Sequence, residues 1–124
     1  MAFGNPRDNR WKMAGEFDAL ADVLAEALAQ AASGKGAERH GNGKNFLSQP
    51  IMEMGRMLGP AGPAFQVMKK TQEAAGMARR GSFASAKREM LGAIVYSSAM
   101  VLLFEEMELE TANVDGPRTD SHQA

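Results

Sequence analysis

The sequence predicts an all-α fold, a small helical bundle, on three observations. The stretch from Met90 to Phe104, MLGAIVYSSAMVLLF, holds fifteen residues without a charge, bounded by Lys87, Arg88 and Glu89 before and by Glu105 and Glu106 after. Near the N-terminus, Met13, Phe17, Leu20, Leu24, Leu28 and Ala31 recur at helical spacing, with Asp18, Asp22 and Glu26 on the far side. The apolar content leans on ten Met and many Ala, against six Phe, one Tyr and one Trp, so helix interfaces are expected to be thin and adaptable. A single domain of 124 residues buries a modest core, and association is expected to supplement it.

The elements follow in order. Residues 1–10 carry Gly, Pro, Asn and charges without periodicity and read as an arm, with Trp11 as its anchor. Residues 11–110 read as the single helical domain. Its first helix is expected from Trp11 to Ala32, ended by Ser33-Gly34 through a left-handed glycine cap. Residues 33–46, SGKGAERHGNGKNF, form a glycine-rich basic loop. Ser48 and Pro50 mark the next helix start, and Ile51, Met54 and Leu58 are expected on its inner face. Gly59-Pro60-Ala61-Gly62-Pro63 then breaks the chain before a third helix reaching about Arg79, where Phe65, Met68, Gln72 and Ala75 share a face.

Gly81 and Ser82 precede the long last helix, Ala84 to Leu109, with Ser82 or Ser85 as its cap. Apolar residues cover every side of this helix, which marks it as a buried or interface element. Fifteen uncharged residues fall short of the roughly 20 that a bilayer span needs, and they exceed a strand's usual length. Gly92, Ala93, Ser97 and Ala99 permit close helix approach, so a homo-oligomer through residues 84–109 is expected. Residues 111–124 lose periodicity and read as a disordered tail.

Charge is segregated along the chain. Residues 35–88 hold ten basic and three acidic side chains, whereas residues 89–124 hold one basic and seven acidic. The basic middle either offers a positive surface to phosphates or neutralises the acidic ends within or between subunits, and both readings stay open. The glycine loop carries the first. Alternating Gly lets backbone N–H groups approach an anion, Arg39 offers a bidentate fork, Lys35 and Lys44 add charge, and His40 or Asn42 reads a base or ribose. Arg56, Lys69 and Arg79 are candidates to join from helix ends. The Walker pattern fails, because Gly36 and Gly41 are followed by Asn42 and Gly43-Lys44 leads to Asn45. A plain solvated connection remains the alternative for this loop.

Other chemistries find less support. No cysteine leaves no disulfide or thiolate site, and a reducing cytoplasm is the expected compartment. MAFGNPRDNRW contains no apolar signal region. Only His40 and His122 are available for imidazole catalysis, and no segment presents a base-reading helix, so nucleic acid is not an expected partner. The carboxylates Asp18, Asp22, Glu26, Glu105 and Glu108 raise a metal-dependent nucleotide pyrophosphohydrolase as an alternative, although the first three lie opposite the apolar stripe.

GKGAERHGNGK, followed by QPI, then KKTQEA and LGAIVY, resembles small uncharacterised bacteriophage-encoded proteins over residues 34–104. The resemblance implies an accessory protein acting in the host cytoplasm, with binding or sequestering of nucleotides or nucleotide signals as a task. The expected function is therefore a non-enzymatic homo-oligomeric binder of an anionic small molecule, a nucleotide above all, with no cofactor and no membrane. A structural or protein-interaction module is the further alternative.

Overall fold

The computed structural model describes residues 15–33 and 45–115. Four α-helices form among them: α1 (Asp18–Ser33), α2 (Pro50–Leu58), α3 (Ala61–Arg79) and α4 (Phe83–Asp115), with a 3-10 turn at Phe46–Ser48 before α2. No strand occurs among the described residues. Residues 1–14, with Trp11 and Met13, the loop 34–44 and the tail 116–124 lie outside them.

The termini of these helices follow local chemistry. Gly15 adopts φ +72, so α1 begins at Asp18 rather than at Trp11, and Asp18 places a carboxylate in the positive first turn. The Asn45 side chain caps the 3-10 turn by accepting from the Leu47 N–H at 3.0 Å. Ser48 falls inside that turn, so Gln49 takes the N-cap position of α2 without a side-chain cap hydrogen bond, and Pro50 opens the first turn. Gly59 at φ +83 ends α2. The α3–α4 corner is a Schellman motif: Gly81, at φ +82, donates to Ala78 O at 3.0 Å, and Ser82 donates to Met77 O at 2.8 Å. A short connection of this kind folds α3 back antiparallel on α4.

Helix α4 is the hub on which α1, α2 and α3 all pack. Its 33 residues extend about 50 Å, longer than any partner, and it continues past the expected end at Leu109 into the segment read as a tail. The interior that results is thin. Buried apolar residues are Ala27, Ala74, Ala86, Ala93, Ala99, Met52 and Leu103. Among the described residues Met52, Ala99 and Leu103 form the one cluster of buried side chains, flanked by Phe46, Ile51 and Leu102. Alanine seams bring backbones close but remove little apolar surface from water.

Three inner faces differ from those expected. On α2 the buried residues are Met52 and Gly55, while Met54 and Leu58 face outward. Gly55 sits there because a Cβ would lie 2.5 Å from a Leu103 methyl. On α3 the buried residues are Pro63 and Ala74, with Val67, Lys70 and Met77 half-buried, whereas Phe65, Met68, Gln72 and Ala75 are all exposed. Helix α3 carries two apolar stripes, and the one through Pro63, Val67, Ala74 and Met77 is the one that turns inward. The same choice runs through α1, where Ala27 is buried while Leu20, Leu24 and Leu28 stay exposed.

Candidate functional site

Of the described cations in the basic middle, Arg56 is the most firmly held. Its Nε donates to Glu106 Oε1 at 2.8 Å, and its Nη2 donates to Glu106 Oε2 at 2.9 Å and to Leu47 O at 2.8 Å. The fork therefore ties the 3-10 turn, α2 and α4 together, with its bidentate edge committed to a carboxylate of the same chain. An acidic and a basic block are joined here within the subunit, and Arg56 fastens α2 to α4 and to the turn before it.

The pair shifts both partners as charge-assisted hydrogen bonding requires. The bond to Glu106 raises Arg56 above its ordinary value, and the bond to Arg56 holds Glu106 below the usual carboxylate range. A lowered carboxylate contributes stability that is present above its unfolded-state value and lost as pH falls through the folded one. The raised arginine loses its contribution only at strongly alkaline pH. Glu106→Gln is expected to lower stability slightly at neutral pH and to flatten the stability loss below about pH 4, measured by urea unfolding across an acid series. The effect is small, because the side chains are 40% and 35% exposed and water screens the pair.

Lys70 forms a second junction, between α3 and α4. Its Nζ lies 3.8 Å from Glu89 Oε1 and 5.7 Å from the centre of the Tyr96 ring. Its aliphatic stem crosses α4 at Gly92, where a Cβ would meet Lys70 Cδ at 3.3 Å. Glu89, Gly92 and Tyr96 stand three and four residues apart, so one face of α4 receives the whole side chain. Burial pushes the Tyr96 hydroxyl above its ordinary value. The signal for this junction is the glycine within an apolar helix, opposite a helix that carries paired lysines.

The remaining candidates are dispersed. Lys69 and Arg79 are exposed on α3, ten residues and thus about 15 Å apart along its axis. Arg79 is instead grouped with Arg80. Arg80 Nη1 and Arg79 Nη2 lie 3.3 and 3.7 Å from the point where a Gly76 Cβ would stand, and neither guanidinium has an ion-pair partner among the described residues. Lys35, Arg39, His40, Asn42 and Lys44 lie outside the described residues. Asp18, Asp22, Glu26, Glu105 and Glu108 are exposed, and no group of three or more His, Cys, Asp or Glu suited to a metal gathers among the described residues.

What sequence reasoning missed is the apolar surface. Among the described residues Leu28 is 70% exposed, Met57 80%, Phe65 61%, Met68 70% and Val101 55%. No family model, no curated protein and no solved structure matches the chain. The resemblance to phage-encoded proteins thus rests on the quoted residues alone.

Proposed function

We propose that the chain is a non-enzymatic interaction module that works as a homo-oligomer, its outward apolar faces covered by further copies of itself. The observation that carries this reading is the inversion of residue size: alanines fill the seams of one copy while leucine, methionine and phenylalanine line its outside. Apolar surface of that extent, left on a helical protein whose buried cluster holds one Met, one Leu and one Ala, favours association. The Arg56–Glu106 clamp supports the same reading, since it spends charge on joining helices. Light scattering at about 20 µM, where an interface of micromolar affinity is largely formed, is expected to give a multiple of the 13.3 kDa chain mass. A mass of one chain at that concentration defeats the proposal.

By length and composition α4 is also apolar enough over Phe83–Asn113 to cross a membrane. Three helices pack along it and the ion pairs of Glu89 and Glu106 sit on it, yet only 17% of its apolar 18-residue window is buried within the chain, which leaves the rest for a partner surface.

Binding of an anionic small molecule, a nucleotide foremost, is the second reading. The convergence of Arg79 and Arg80 on Gly76 without an opposing carboxylate among the described residues favours it, because two forks of that kind suit phosphate. Arg79→Ala/Arg80→Ala is expected to weaken ATP binding at least tenfold by calorimetric titration, the loss of roughly one charge-assisted contact. Equal affinity of the variant and the parent removes these two residues from any site.

A further inference from the structure

We infer that the open face of α4 pairs antiparallel with the same face of a second copy, about a twofold axis near Ser97. This inference rests on the self-association proposed above and specifies its surface, partner and register.

Three faces of α4 are distinguishable by what they meet. One receives α3 through Glu89, Gly92 and Tyr96, and another approaches α1 and α2 through Arg88, Leu103 and Glu106. The third is Lys87, Met90, Ile94, Ser97, Val101, Phe104 and Glu108, whose steps of three, four, three, four, three and four residues keep them in one line along the helix. Lys87, Ser97 and Glu108 are exposed, Met90, Val101 and Phe104 are 39%, 55% and 49% exposed, and Ile94 is half-buried. An apolar seam at coiled-coil spacing, with a small residue at its midpoint, faces outward from each copy.

Its ends carry opposite charge. Lys87 lies ten residues before Ser97 and Glu108 eleven after it, on the order of 15 and 16 Å along the axis. Turning one helix about a twofold axis at Ser97 therefore sets Lys87 of each copy beside Glu108 of the other, while Ile94 meets the region of Val101 and Met90 the region of Phe104. A parallel pair sets Lys87 on Lys87 and Glu108 on Glu108, which repels at both ends. Neither residue has an ion-pair partner in its own chain among the described residues, so both charges are available for the partner. The contact is isologous and closes on itself, which limits it to two copies per α4 face.

Charge reversal tests the register. Lys87→Glu and Glu108→Lys each turn two attractions per dimer into two repulsions and are expected to raise the dissociation constant about tenfold by light scattering in low salt. The double variant Lys87→Glu/Glu108→Lys is expected to recover most of that loss. The chain lacks cysteine, so Ser97→Cys supplies a lone thiol near the axis and is expected to be oxidised by added diamide to a covalent disulfide dimer, whereas Gln72→Cys on the outer face of α3 is not. Circular dichroism verifies that each variant remains helical, and all substituted positions are exposed.

Oligomers unaffected by either single reversal, or covalent dimers from the Gln72→Cys variant and none from Ser97→Cys, overturn the α4 register and leave self-association standing. A wild-type protein that stays monomeric overturns both. Recovery of wild-type chain only with sedimented phosphatidylcholine vesicles assigns the face to lipid and overturns the pairing.

Discussion

Leu103→Ala is expected to lower the unfolding free energy by about 2–5 kcal/mol, a large share of the roughly 5–15 kcal/mol typical of a domain. Leu103 is 2% exposed and packs with Met52 and Ala99, the sole cluster of buried side chains among the described residues. Its methyls occupy the space that Gly55 leaves open, so truncation opens a gap that α2 cannot fill from its own side. Helix α2 has nine residues, too few to persist without that contact. Urea unfolding followed by circular dichroism gives the magnitude, and hydrogen exchange is expected to show α2 losing protection before α3. Equal protection of α2 in the variant contradicts the assignment of Leu103 as its anchor.

Val101→Glu, two residues earlier, is expected to act on assembly alone. Val101 is 55% exposed within one copy, so stability measured on dilute, monomeric protein changes by no more than about 0.5 kcal/mol. In the proposed pairing the same carboxylate would be buried without a partner, and it would enter the interface twice because that contact is symmetric. Dissociation is expected to become easier on the order of 100-fold, read by light scattering over a dilution series. Loss of stability without loss of association inverts the roles assigned to the inner and outer faces of α4.

These two substitutions isolate where periodicity is informative. The uncharged run from Met90 to Phe104 marks α4 as the central helix, and Val101 and Leu103 look alike in that run. Which of them faces inward follows from Gly55, whose missing side chain admits Leu103 from the opposite helix. Arg56 and Arg79 likewise share a composition signal and differ in surroundings. One is gripped by Glu106, fifty residues distant, and the other stands beside Arg80 at the end of α3. For Lys35, Arg39, His40, Asn42 and Lys44, the sequence pattern is the whole of the case.

The sequence by itself determined the all-α class, the dominance of α4, and the breaks at Gly59 and Gly81, because these depend on local spacing and on backbone conformations that glycine supplies. The tertiary structure alone decided which stripe of each helix turns inward. On α1 and α3 the alanines Ala27 and Ala74 were buried and on α2 Met52 and Gly55, while Leu28, Met54 and Phe65 were left outside. A helix with apolar residues on two sides satisfies its periodicity either way round, and only the shape of the facing helix, read across the chain, breaks the tie.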